Sequence, residues 1–526
     1  MRYLFIDRKY VQRIDGIRQV FHQPVKENAP VLAPDRHEGD RMLIWSAPVW
    51  CEERSRWRMW YFSAEPTMPR YAESRDGLNW EKPSLGLVCW NDSTDNNIVN
   101  LGFPAKTPKD NHIMLVRDDN EKAPARRFKG LTVVDWQSMA LVSPDGLDWT
   151  PLESERIQSG DQYRLGYDGI NHRFVATVKL GGLIGEGKYP VAEFGRAVSL
   201  SVSDDFVHWS EPKLVLWGDE IDQENGKKRM KEAIQDPDRR SPLVVKADQF
   251  YTDVYNMPVF TYEDMYLGLP TMFNQSGRYW FTQDPSKPNA GSNQDGFLYP
   301  SLVASRDLYN WDRLSRAPFI PLSPLSNKDS WDYGAIHANV PVKNGNELWF
   351  YYIGNRFTHL KPSIVDEAGL RQSPDEHFGG IFLARMRMDG FASLYADAEP
   401  GVILTTPLKI TGSKLYANVD AARGELRAEL RDALTGRVIH GYSLGEYVAT
   451  RALFNDDGSA LGHRLGTGAR FNEDPSENDT IPVCEDSTAV AVKWTGGDDL
   501  TPLVGREVRV CFCLRNAHLY SFWFGD

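Results

Sequence analysis

Short apolar segments with polar punctuation dominate the first 400 residues, and they come in threes. Met42–Trp50, Trp57–Phe62 and Arg70–Ser74 form one trio, and His112–Arg117, Arg127–Val134 and Met139–Ser143 a second. Tyr163–Tyr167, Arg173–Lys179 and Arg196–Ser203 form a third; Asp253–Thr261, Met265–Phe273 and Phe297–Ser305 a fourth. Ala335–Val342, Glu347–Ile353 and Gly380–Met388 complete the series. Aromatic and β-branched runs bounded by Gly, Asp and Asn predict strands. Four of the trios end in one pattern, Ser-x-Asp-x-x-x-Trp: Ser74 to Trp80, Ser143 to Trp149, Ser203 to Trp209 and Ser305 to Trp311. The last trio ends in Arg387-Met-Asp389-Gly-Phe-Ala-Ser393, which keeps the Asp and loses the tryptophan.

A unit repeated with variable insertions is the mark of propellers and solenoids. Three strands, plus one after each tryptophan, make a four-stranded antiparallel blade. The expected fold is therefore all-β: a five-bladed β-propeller over residues 1–400, followed by a β-sandwich over 401–526. The first 30 residues would be a lead-in or a closing strand. The Ser-x-Asp turn is explained structurally, because an Asp side chain accepts from nearby backbone N–H groups and the tryptophan packs behind the hairpin. Beyond Pro400 the repeat stops and short alternating strands follow, as in antiparallel sandwiches. The charged insertion at 218–240 reads as a surface helix on a rim.

Composition narrows the function classes. The formal charge of −12 lacks the basic face that nucleic-acid binding needs. No apolar stretch is long enough to span a bilayer. The N-terminal apolar run is too short for a signal peptide, so a cytoplasmic protein is expected, or a secreted one if a leader has been removed. The five cysteines have no metal-ligand spacing and read as reduced structural thiols. No phosphate loop, catalytic thiol or zinc pattern is present. No cofactor or metal is demanded, although funnel carboxylates would accommodate Ca²⁺.

Residues at the starts of inner propeller strands share one mouth, and there this chain places Glu38 and Asp40, Asp110, Asp161, Asp253 and Asp332. Glycosidic cleavage needs two carboxyl groups, one with a raised pKa. With Asp161 starting a strand before Asp168-Gly and with Trp331-Asp332 opening another, the chain resembles the five-bladed propeller glycosidases of glycoside hydrolase families 32 and 43. The C-terminal part resembles the sandwich that follows the propeller in family 32. Family 32's Trp-Met-Asn-Asp-Pro-Asn signature is replaced by His37-Glu-Gly-Asp40, which makes this a divergent relative. The resemblance implies a carbohydrate substrate and hydrolysis of terminal sugars. Glu38 or Asp40 would act with Asp161, and Asp332 would modulate them. Arg196, Asp253 and His337 are candidates for binding substrate, and Trp45 and Trp331 for a sugar platform. The alternatives are a glycoside phosphorylase or a non-catalytic carbohydrate-binding propeller. The oligomeric state is not legible.

Overall fold

The computed structural model describes all residues except 36–37, 40–41, 64–67, 104–111, 136, 160–162, 181–194, 281–291, 361–377 and 445–479. The described chain is almost entirely β-strand. It divides into two compact units, one of residues 24–344 and 349–385, the other of residues 1–23, 345–348 and 386–526.

The larger unit is a ring of four-stranded antiparallel sheets. The first holds Met42–Leu43 with Val49–Cys51, then Arg56–Ser63, Pro69–Ser74 and Trp80–Glu81. The second runs Met114–Arg117, Phe128–Val134, Gln137–Ser143 and Thr150–Leu152, and the third Tyr163–Asp168, Arg173–Leu180, Ala197–Ser203 and Lys213–Leu216. The fourth is Val259–Tyr262, Met265–Gly268, Leu302–Ser305 and Asp312–Ser315. The last joins Ala335–Ala338 with Val342–Asn344, then Glu347–Asn355 and Gly379–Arg387, and the N-terminal strand Val25–Lys26 supplies its outer edge.

Contacts between neighbouring sheets close the ring. The Ser46 Oγ accepts from the Leu115 amide at 2.8 Å, linking the first and second sheets. The Thr177 hydroxyl donates to the Met257 carbonyl at 2.6 Å, linking the third and fourth. Asn120 donates to the Tyr167 hydroxyl at 3.2 Å between the second and third. Leu298 pairs in parallel with Ala335 between the fourth and last, and Asn339 donates to the Ile44 carbonyl at 3.3 Å between the last and first. Radial repetition of this kind leaves only short, protected sheet edges, and this arrangement is a β-propeller.

Three inner strands are broken at matching places, and the sequence explains why. The breaks fall at Ser46-Ala-Pro48, Asn256-Met-Pro258 and Asn339-Val-Pro341. Proline has no N–H for the ladder, so pairing lapses and the preceding Ser or Asn side chain turns to other partners. In the fourth sheet the strands continue past the break as a second ladder: Tyr251–Val254, Thr271–Trp280 and Ser292–Pro300. The expected continuous strands Asp253–Thr261, Met265–Phe273 and Phe297–Ser305 are thus each two strands serving two sheets.

The Ser-x-Asp turns are staples. In the first, Asp76 Oδ1 accepts from the Leu78 and Asn79 amides at 2.8 Å each, and the Trp80 indole donates to the Gly77 carbonyl at 3.1 Å. The next sheet round the ring clamps the same turn, with the Tyr351 hydroxyl 2.7 Å from the Gly77 carbonyl. Gly77 sits at φ +76°, and a Cβ there would lie 2.7 Å from that hydroxyl. Trp60 likewise donates to the Gly146 carbonyl at 2.6 Å, binding the second turn to the first sheet. These contacts, with buried Trp60, Tyr71, Phe128 and Trp149, build the core between sheets. Burying such a ring contributes about 1.5–3 kcal/mol.

The insertion folds as one helix, Glu220–Gln235, started by an Asp219/Asp222 capping box. Its Gly226 lies against Thr252, where a Cβ would meet the hydroxyl at 1.9 Å. The helix is therefore docked along one face, not solvated all round.

The smaller unit packs two antiparallel sheets face to face. One contains Arg18–Phe21, Ala392–Ala396, Ala517–Gly525, Lys414–Asp420 and Asp486–Ala491; the other Val11–Asp15, Gly401–Thr405, Glu507–Arg515 and Glu425–Asp432. Both inner faces enter one core, where Phe512 meets Phe522 at 5.0 Å. The strands of residues 1–21 belong here, apart from the propeller to which the sequence reading assigned them. The tryptophan-less turn has a matching explanation. Asp389 is buried against Arg2 and Ser521 at 2.7 and 2.6 Å. The strand after it, Ala392–Ala396, joins the sandwich without returning along the propeller sheet.

Candidate active site

The inner strands all start at one mouth of the ring, and residues there converge from several sheets. Arg196, just before the third strand of its sheet, crosses to the fourth sheet's extension. Its backbone amide donates to Asp253 at 3.1 Å and its guanidinium at 2.8 Å, with a second nitrogen on Gln294 at 2.8 Å. Gln275 also donates to Asp253, at 2.5 Å. Asp253 is 1% exposed. Burial pushes its pKa up, against the downward pull of Arg196. The face of Tyr255 carries the Lys179 ammonium at 4.2 Å and lies 5.5 Å from both His337 and His359.

The floor beneath is cationic and aromatic. Arg164 is 2% exposed, lies 4.3 Å over the Trp45 ring and donates weakly to Asn256 at 3.3 Å. Burial lowers its pKa to about 9. Trp45 meets His337 and His112 edge-on at 5.8 and 6.3 Å.

The site residues expected from sequence fare differently. Arg196, Asp253 and His337 are brought together at the mouth. Asp40 and Asp161, and Asp110 beside them, lie outside the described residues. Glu38 is sequestered: 1% exposed, it accepts from the Tyr61 hydroxyl at 2.5 Å and from Lys82, with Arg70 at 3.9 Å. Asp332 repeats that arrangement in the last sheet. It is 0% exposed, 2.9 Å from Lys26 and 2.9 Å from the Tyr352 hydroxyl. In both sheets an acid ahead of the inner strand meets a tyrosine from the second strand and a lysine from the outer edge. Buried charges are retained when paired and hydrogen-bonded, and both carboxylates are committed to braces across their sheets.

The two tryptophans each carry a guanidinium over the ring. Trp45 has its face covered by Arg164, and Trp331 packs against Phe382 at 6.3 Å under the Arg356 guanidinium at 4.9 Å. Sequence reasoning missed Arg164, Lys179, Tyr255, Asn256 and His359. For Arg164 a signal existed: a charged residue inside the otherwise apolar strand Tyr163-Arg-Leu-Gly-Tyr167. Among the described residues no group of three or more His, Cys, Asp or Glu is placed to hold a metal ion, and no helix is long and apolar enough to cross a membrane.

No protein-family model matches this sequence, and no curated protein matches it. Among solved structures, the chain is similar to an N-acetylgalactosamine deacetylase from F. plautii in complex with blood group B trisaccharide. They share 14% identity over 72% of this chain and 97% of that one, with a TM-score of 0.38. A thermostable family-43 glycoside hydrolase is 12% identical over 68% of this chain and 94% of that one, TM-score 0.37. The endo-arabinase from Bacteroides thetaiotaomicron VPI-5482 is 10% identical over 70% and 98%, TM-score 0.36.

Proposed function

We propose that the propeller mouth cleaves a glycosidic bond at the end of a carbohydrate chain, with Asp253 as its acid. One observation carries this reading: Asp253 is a buried carboxyl with a raised pKa, set among hydrogen-bonding groups from neighbouring sheets. A general acid must hold its proton near working pH, and burial is how proteins achieve that for a carboxyl. Arg196 and Gln275 orient the group and keep its pKa from rising too far. His337, His359, Lys179 and Tyr255 offer the donors and the ring face that sugar hydroxyls and C–H groups need. The second carboxylate in this proposal is Asp161, which in the sequence stands two residues before the strand Tyr163–Asp168. It would act as nucleophile or as base for water. Retention or inversion then follows from the separation of the two carboxyl groups.

The test is a screen of aryl glycosides and oligosaccharides with the full chain, followed by Asp253→Asn and Asp161→Asn on whichever substrate is cleaved. Loss of turnover in both variants, with substrate binding kept, supports the pair. Full activity in Asp253→Asn removes it from the acid role.

A further inference from the structure

The helix Glu220–Gln235 lies against the ladder of Tyr251–Val254, Thr271–Trp280 and Ser292–Pro300, and a cavity of about 290 Å³ remains between them. Its volume is at the small end of the roughly 300–1,000 Å³ usual for ligand pockets. Successive side chains of a strand point to opposite faces. Thr252 meets the helix at Gly226, and Asn274 and Phe297 line the cavity, while Asp253 and Gln275 bond each other at the mouth. The cavity is thus on the reverse of the ladder that carries Asp253.

Most of its lining is apolar. Met230 and Phe297, both buried, form its floor, and Ala233 and Leu322 pack against the same cluster. Pro318 and Pro321 complete the walls. These side chains offer no hydrogen bonds, so they suit an apolar ligand body and not the hydroxyl rim of a sugar.

One cation interrupts this lining. Arg229, partly buried on the helix, donates through Nη1 to the Tyr299 hydroxyl at 2.7 Å and through Nη2 to the Arg316 carbonyl. Both acceptors are neutral, and no carboxylate among the described residues pairs with it. No described group accepts from its Nε–H either, and that group keeps accessible surface. The acids on the wall already have cations: Asp236 lies 3.5 Å from Arg239, and Glu232 lies 3.9 Å from Lys228. A guanidinium presents a planar fork of donors that matches a carboxylate. Arg229 and Ala233 stand one helical turn apart, with about 5–6 Å between such Cβ positions. Tyr299 and Phe297 likewise share one face of their strand, roughly 7 Å apart. A single ring bearing a carboxylate spans that separation from the apolar floor to the cation.

We propose that this cavity binds a monocyclic aromatic carboxylate. The ring occupies the apolar space over Met230 and Phe297, and the carboxylate takes the open N–H of Arg229. The site shares no residue with the mouth and does not depend on the reaction proposed there.

Isothermal titration of the full chain tests it with sodium benzoate, benzyl alcohol and sodium acetate, at an ionic strength held constant with sodium chloride. Saturable benzoate binding is expected, with benzyl alcohol and acetate each at least tenfold weaker. Arg229→Met should weaken benzoate at least tenfold. Ala233→Phe fills the cavity from the helix side and removes no polar contact. It should abolish benzoate binding with the melting temperature kept, so the test stays readable if Arg229→Met fails to fold. Absence of saturable benzoate binding, or affinity undiminished in Ala233→Phe, would overturn the proposal. Benzyl alcohol bound as tightly as benzoate would overturn the anionic ligand, and acetate bound as tightly would overturn the aromatic one.

Discussion

Arg196 grips Asp253 twice, through its backbone amide at 3.1 Å and its guanidinium at 2.8 Å, so a residue of the third sheet sets the protonation of an acid on the fourth sheet's extension. Burial raises the Asp253 pKa and Arg196 restrains it. Removing the cation should raise it further. A general acid works while protonated, so activity falls as pH rises through its pKa. Arg196→Gln should therefore move the high-pH limb of the rate profile to higher pH, and Asp253→Asn should lower turnover about 10²–10⁴-fold. A pH–rate profile in which Arg196→Gln leaves that limb in place contradicts the coupling.

The Glu38–Lys82 pair braces the first sheet, and its loss should be read in stability. Lys82→Met leaves the buried Glu38 carboxylate with only Arg70, 3.9 Å away, as a cation, at a cost of up to about 3–5 kcal/mol. Glu38→Leu combined with Lys82→Met should recover most of that. Urea unfolding followed by tryptophan fluorescence measures both. Activity per folded molecule should stay near that of the parent in the double variant, and a thousandfold loss there would return Glu38 to the chemistry.

The staple turns should fail at low pH. The Asn79 backbone N–H, with the Asn79 side chain, holds the Asp76 carboxyl well below the usual carboxylate range. The stabilisation of such a group is present above the unfolded value near 4 and is lost as pH falls through the folded value. Asp76→Ala should cost about 1 kcal/mol at neutral pH. The difference between variant and parent should shrink in acid melting curves, and a difference that grows would refute the assignment.

His22, in the smaller unit, predicts a second pH dependence. Its Nε2 lies 2.8 Å from the Ser393 hydroxyl, which also meets His518 Nδ1 at 2.9 Å. Burial, then the charges of His518 and Arg387, lower its pKa to about 4. The unfolded chain binds that proton first, so stability falls as pH drops from about 6.5 to about 4. Discounted for its partial exposure, the loss is about 1–2 kcal/mol. His22→Gln should flatten the melting temperature over that window, and an unchanged slope would exclude His22 as its source.

Much of the fold is local in origin and so was legible. Alternation and turn residues located strands such as Tyr163–Asp168, found at Tyr163–Tyr167, and Arg173–Leu180, found at Arg173–Lys179. The Ser-x-Asp-x-x-x-Trp turn could be understood as a staple because its hydrogen bonds span only a few residues. What sequence could not show was which of these groups meet in space. Glu38 and Asp332 precede inner strands, whereas Asp253 lies within the strand Tyr251–Val254. Lys82 and Lys26 arrive from the outer edges of their sheets and draw the first two aside.

The sequence alone determined that this protein is all-β, where its repeats punctuate the chain, and which acids stand ahead of the inner strands, because those features rest on side-chain period and turn chemistry. Only the tertiary structure decided which charges meet. The distances from Lys26 to Asp332 and from Arg196 to Asp253 along the chain are bridged by ring closure. Burial and pairing then fix how each carboxyl is braced, as for Glu38 and Asp332, or shifted in its protonation, as for Asp253.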